Sequence, residues 1–170
     1  AETEAAKDEA ASGEKHLVGV AMPTKDLQRW NQDGSNMKAE LEAAGYEVDL
    51  QYASNDVQTQ VSQVENMISN GCELLVIASI DGSSLGEPLG QAKEAGIPVI
   101  SYDRLLMNSD AVTYYATFDN YMVGQKQGEY LVEALGLEEN DGPFNIEMFT
   151  GDPADNNCNF FFGGAMDVLQ

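Results

Sequence analysis

Two adjacent pairs in this chain, Arg29 with Trp30 and Asp103 with Arg104, combine planar cations, a carboxylate and the sequence's single indole. Guanidinium and carboxylate groups make charge-assisted hydrogen bonds to hydroxyls. An indole offers a flat apolar surface to C–H groups. Hydroxyl, amide and charged residues recur in four further clusters: Lys25 and Asp26; Ile80-Asp81-Gly82-Ser83-Ser84; Phe118-Asp119-Asn120; and GDPADNNCN at 151–159. Such a mixture suits a neutral ligand with many hydroxyls, a sugar above all, better than an anion or a hydrocarbon. Plainer readings also stand: Trp30 as a core residue at a helix start, and Asp103 with Arg104 as an exposed ion pair in a surface turn.

The elements that must position these residues alternate between short apolar runs and longer amphipathic stretches, the pattern of βα units feeding a parallel sheet. LVGVAM at 17–22, ELLVIAS at 73–79 and IPVISY at 97–102 read as strands buried on both faces. EVDLQYA at 47–53 alternates and belongs nearer a sheet edge. VTYYAT at 112–117 and NIEMFT at 145–150 supply a fifth and a sixth strand. Helices are expected over about 27–44, 56–70, 84–95, 121–135 and 159–170, the first three closed by Gly45, Gly71 and Gly96, the second opened by Asn55 or Asp56. The recurring unit predicts a doubly wound α/β fold with right-handed crossovers. Ligands of such sheets collect beyond the carboxyl ends of the strands, and every polar cluster named above follows a strand.

Catalysis and metal binding find little support. Gly82-Ser83-Ser84-Leu85-Gly86 matches the G-x-S-x-G pattern of a hydrolase elbow. A serine nucleophile needs a base, and the single histidine, His16, precedes the first strand at the opposite edge. Ser83 or Ser84 reads instead as a helix N-cap. Asp155-Asn156-Asn157-Cys158-Asn159 imitates the start of a calcium loop, but Phe160 stands where the turn glycine belongs and Met166 where the bidentate glutamate belongs. No metal and no cofactor is expected. Cys72 and Cys158 fit no zinc spacing, and a bridge between them is left open. With 8 Lys and Arg against 29 Asp and Glu, a formal net charge of −21 opposes binding to nucleic acid or to anionic lipid through a basic surface. No apolar run approaches the length needed to span a membrane as a helix.

The opening AETEAAKDEAASGEK, residues 1–15, is too polar to bury and reads as a flexible acidic tether left after an export signal is removed, or as a leader of another origin. From residue 16 to 170 the chain closely resembles the xylose-binding and multiple-sugar-binding branch of the periplasmic sugar-binding proteins. The resemblance is carried by MPT with Arg29-Trp30, QVENMI at 63–68, LVIASIDG at 75–82, PVISYDRL at 98–105, YATFDN at 115–120, and GDPADNN followed by FFFGGAMDVL. It implies two periplasmic-binding-protein-like type I α/β lobes that close on a sugar, with no chemistry of their own. The first lobe would occupy 16–117 and the start of an incomplete second lobe 118–170, in a truncated chain. Arg29, Trp30, Asp103 and Arg104, with Lys25 and Asp81, would be ligand residues from the first lobe. Asp155, Asn156 and Asn157 would be ligand residues from the second. The implied partners are a monosaccharide, aldopentose or aldohexose, the membrane subunits of an ABC importer, and a chemoreceptor. The implied location is the periplasm or outer face of the membrane, with a lipid anchor at the removed signal. Two other readings remain: the sensing domain of a repressor, which would carry a basic helix-turn-helix before the first strand, and a serine hydrolase using Ser84.

Overall fold

The computed structural model describes residues 16–170; the tether expected at 1–15 lies outside the described residues. The elements in chain order are β1 (Leu17–Met22), α1 (Gln28–Ala43), β2 (Glu47–Tyr52), α2 (Val57–Ser69), β3 (Leu74–Ile77), α3 (Gly86–Glu94), β4 (Val99–Tyr102), β5 (Val112–Ala116), α4 (Asn120–Leu135) and α5 (Asn157–Leu169). All strand pairs are parallel, in the order β2-β1-β3-β4-β5. The alternating strand expected nearer an edge is the edge strand β2. The order reverses between β1 and β3, so a crevice opens at their carboxyl ends.

Alternation along the strands divides the core between the two faces of the sheet. Val18, Val20 and Met22 of β1 and Val76 of β3 point to one side, where Trp30 of α1 joins them. Ala21, Leu75 and Ile77 point to the other, against Val64 and Met67 of α2 and Leu89 and Ala92 of α3. Asp56 opens α2: its carboxylate accepts the Thr59 N–H at 2.7 Å, and that bond holds the Asp56 carboxyl below its ordinary value. Gly45, Gly71 and Gly96 follow the ends of α1, α2 and α3 with φ of 95°, 83° and 71°, the left-handed exit expected of them.

Two expectations are corrected. NIEMFT at 145–150 forms no strand: the sheet ends at β5, and Phe149 is 90% exposed. A strand needs a neighbour to take its N–H and C=O groups, and apolar alternation cannot supply one. Nor does Ser83 or Ser84 cap α3. The helix begins after Leu85 with no side-chain cap, because the Ser84 hydroxyl donates to the Asp81 carbonyl at 2.9 Å and the Ser83 N–H to the Asp81 carboxylate at 2.8 Å. These bonds build a turn in place of a cap.

Cys72 and Cys158 are both free. Burial, followed by the nearby charge of Asp49, pushes the Cys72 thiol up to about 11 from 9.0. In the unfolded chain that thiol ionises first, so its contribution to stability is complete below pH 9 and is lost as pH rises toward 11. Urea unfolding between pH 8 and 11 should show a steeper alkaline decline for the parent than for Cys72→Ala. Parallel declines would refute this account.

Candidate functional site

The carboxyl edge of the sheet gathers side chains from four separate segments. After β1, the chain runs through Lys25 into α1, placing Arg29 and Trp30 in its first turns. The Trp30 ring is 3% exposed and lies in the core beside Val20 and Met22, so the core reading of this residue holds. It also underlies the site: the Arg29 guanidinium stands 4.4 Å and that of Arg104 5.2 Å from its ring centroid. Both are cation–π distances.

After β4, Asp103 adopts a left-handed φ of 62°, a conformation that costs a non-glycine residue free energy and must be held by its surroundings. The holding contacts are present. The Asp103 N–H donates to the Ala116 carbonyl at 2.8 Å. Its carbonyl accepts from the Tyr115 hydroxyl at 3.1 Å, the Thr117 hydroxyl at 3.2 Å and the Asn157 amide at 3.3 Å. Its carboxylate accepts from Arg29 Nη2 at 2.6 Å. Burial opposes the Arg29 charge, but the hydrogen bond and charge of Asp103 and the charge of Asp33 outweigh it and raise the guanidinium above its ordinary value. The surface-turn reading of Asp103 therefore fails, since the residue is only 5% exposed.

Arg104 is also largely buried. Nη1 donates to the Ser79 carbonyl at 3.1 Å, and Nε lies 3.0 Å from Asp155 Oδ2. That last contact is close but poorly aligned, and Arg104 Nε has no hydrogen-bond acceptor. Ser79 Oγ and Asn120 Oδ1 are likewise buried without partners. The turn after β3 is brought against the Arg104 loop by Gly82, where a β-carbon would stand 2.6 Å from the Leu105 carbonyl oxygen.

The structure thus assembles Arg29, Trp30, Asp103, Arg104, Asp155 and Asn157. Asn157 is 4% exposed, its amide donating to Asp103 and its Oδ1 accepting from Asn120 at 3.1 Å. Asn156 sits beside it at the start of α5, accepting from Asn159 at 3.4 Å. The other two make no hydrogen bond or ion pair with the cluster: the Lys25 amine lies 5.4 Å from the Tyr52 ring centroid, and Asp81 serves the turn described above. The ligand set drawn from the sequence omits Asp33, Tyr102, Tyr115 and Thr117. Asp33 follows Arg29 by four residues on a helix, the spacing that makes side chains neighbours, and could have been found by that signal. Tyr102 meets Asp33 only because β4 ends beside α1, and Tyr115 and Thr117 meet Asp103 through the pairing of β4 with β5, so none of the three carries a local signal.

The serine-hydrolase pattern is not assembled. Ser84 is tied into its turn, and the His16 ring bonds Glu73 at 2.7 Å at the opposite, amino edge of the sheet. Among the described residues no group of acidic, Cys or His side chains could hold a metal ion, and no helix is long and apolar enough to cross a membrane.

A switch-point edge lined by paired cations and carboxylates over an indole defines a ligand-binding α/β lobe. Comparison with known proteins agrees with this class: residues 18–170 match the periplasmic binding protein domain, and the chain belongs to that family. It is 54% identical over 157 residues to the multiple sugar-binding periplasmic protein SbpA of Azospirillum brasilense, covering 92% of this chain and 44% of that protein. It is 54% identical over 161 residues to the multiple sugar-binding periplasmic receptor ChvE of Rhizobium radiobacter, covering 95% and 46%. Among solved structures, an ABC transporter solute binding protein from Clostridium phytofermentans with bound β-D-glucose aligns with a TM-score of 0.88 at 79% identity, covering 90% of this chain and 47% of that one. The chain therefore spans about half the length of the relatives it matches.

Proposed function

We propose that this chain is the ligand-recognising part of a periplasmic receptor that binds a monosaccharide, an aldohexose or aldopentose, and delivers it to an ABC importer without chemical turnover. The observation that carries the reading is the set of Arg29, Asp103, Arg104 and Asp155 arranged over Trp30 at the switch point. Each ion pair holds its partners in place while leaving further donors and lone pairs for hydroxyls, the mixture of donors and acceptors that a sugar needs. A relative 79% identical to this chain holds β-D-glucose, which makes glucose the first sugar to try.

The same reading assigns residues 16–117 to one lobe and 118–170 to the beginning of another. It is supported by α4 and α5, which pack on each other rather than on the sheet. They meet the first unit through Asn120, Asn157, Asp155, Asp103 and Arg104. Asn157 would then leave Asp103 or Asn120 for a sugar hydroxyl when a ligand enters.

Isothermal titration of the chain with glucose, galactose, xylose, arabinose and ribose tests the proposal. Saturable binding of at least one aldose, weakened at least about tenfold by Trp30→Ala, is the expected result. Silence across the panel would sink the monosaccharide reading.

A further inference from the structure

Asp33 is absent from the ligand set drawn from the sequence, yet it ties α1 to the end of β4. It lies one helical turn beyond Arg29 on α1, its side chain 23% exposed, with Oδ2 3.4 Å from Arg29 Nε. The same oxygen accepts the Tyr102 hydroxyl proton at 3.1 Å. Tyr102 is the last residue of β4, immediately before Asp103, whose carboxylate holds the other end of the same guanidinium at 2.6 Å. Arg29 is therefore gripped from two sides, by Asp33 at Nε and by Asp103 at Nη2, with its plane above the Trp30 ring.

Two carboxylates for one arginine exceed what neutralisation needs. An arginine side chain 51% exposed would otherwise sample many rotamers, and ordering it at the moment of binding would cost affinity. Asp33 is itself placed by Tyr102, so its carboxylate has a fixed position from which to act. Tyr102 stays protonated and donating: burial first, then the charge of Asp33, raises its phenol above the ordinary value.

We propose that Asp33, held by Tyr102, is a positioning residue that fixes the Arg29 guanidinium over Trp30 in the sugar-free protein, so that Arg29 meets its ligand preorganised. The inference rests on the receptor reading for its binding consequence, but not for its spectroscopic one. Asp33 acts through Arg29 and need not touch the sugar.

Trp30 is the sole tryptophan in the chain, so tryptophan emission reports on the surroundings of this one ring, Arg29 among them. In sugar-free protein, Asp33→Asn should release Arg29 from the ring, shift the Trp30 emission to longer wavelength and raise its acrylamide quenching constant by about 1.5-fold or more. Asp33→Glu, which keeps the charge at the same helical spacing, should restore the parent spectrum. Titration with glucose should show Asp33→Asn weaker by about three- to tenfold, from loss of a charge-assisted contact and of preorganisation. In an Arg29→Ala background, Asp33→Asn should change affinity less than about twofold, because the residue through which it acts is gone. Equal losses in the two backgrounds, or an emission spectrum unmoved by Asp33→Asn, would overturn the proposal. If the parent binds no aldose, the receptor reading fails by itself, and the emission and quenching results still decide whether Asp33 positions Arg29.

Discussion

Arg104→Ala should weaken aldose binding by about 100-fold or more, the largest loss expected from any single side chain of the site. The argument begins with what Arg104 holds. It donates to the Ser79 carbonyl at the end of β3, pairs with Asp155 before α5, and stands over Trp30. Its removal deletes donors that the proposed site would offer a sugar and also strands the Asp155 carboxylate, whose side chain is only 16% exposed, without a cation. An uncompensated, mostly buried charge costs more than the interaction that was removed. The contact with the α5 segment would loosen at the same time. Arg104→Lys should recover only part of the loss, since an ammonium cannot reach Ser79 and Asp155 together in the planar geometry of a guanidinium. Lys25→Ala, which takes an exposed amine from beside Tyr52, should leave affinity within about twofold. Calorimetric titration of the three variants with the best-bound aldose checks the ranking. Binding by Arg104→Ala at the parental affinity would remove Arg104 from the site.

Gly164→Val should separate α4 from α5 and destabilise that helix pair by about 2–3 kcal/mol. The two helices approach backbone to backbone at reciprocal glycines. A β-carbon at Gly164 would fall on the Tyr121 carbonyl, one at Gly124 on the Phe161 carbonyl, and one at Gly128 would stand 2.9 Å from the Ala165 carbonyl oxygen. Backbone atoms cannot rotate aside as a side chain can, so the helices must move apart and lose packing along the whole seam. Gly90→Ala is the matching control. Gly90 lies inside α3, is exposed and has nothing within 4 Å of a β-carbon, so alanine there should stabilise by about 0.5–1 kcal/mol through helix propensity alone. Hydrogen exchange of α4 amides is the direct measurement, because it reads the local opening of this pair separately from the sheet. Faster exchange in α4 with unchanged β1 and β3 protection is the expected result for Gly164→Val. Unaltered α4 protection would show that the seam tolerates a side chain and that the glycines are incidental.

The same geometry links the two predictions. Asn120 at the start of α4 and Asn157 at the start of α5 bond each other, and Asn157 also bonds the Asp103 carbonyl. Displacing α5 would therefore disturb the left-handed residue that aims the Asp103 carboxylate at Arg29.

How much of this was legible in advance differs between the sheet and the site. The order of strands and helices up to β5, the edge position of β2, the left-handed exits at Gly45, Gly71 and Gly96 and a cap at Asn55 or Asp56 all follow from local rules, namely hydrophobic period, turn chemistry and capping. These depend on residues a few positions apart, so the sequence by itself determined them. It also determined that polar and charged residues would collect at the carboxyl edge, because a parallel sheet places every βα turn there.

Tertiary structure alone decided the rest. NIEMFT has the composition of a strand, but pairing requires a neighbour, and none lies beside it. Ser84 has the composition of a cap, but its hydroxyl is engaged by a turn. Trp30 can be both core and site because the sheet face it covers ends where Arg29 and Arg104 begin, a fact of packing between segments 74 residues apart. The convergence of Tyr115, Thr117 and Asn157 on one carbonyl needs the register of β4 with β5 and the docking of α5, and that of Asp33 and Asp103 on Arg29 needs α1 beside the end of β4. Local propensity encodes which element forms. Which side chains meet is set by long-range packing, where position in space and not spacing along the chain selects the partner.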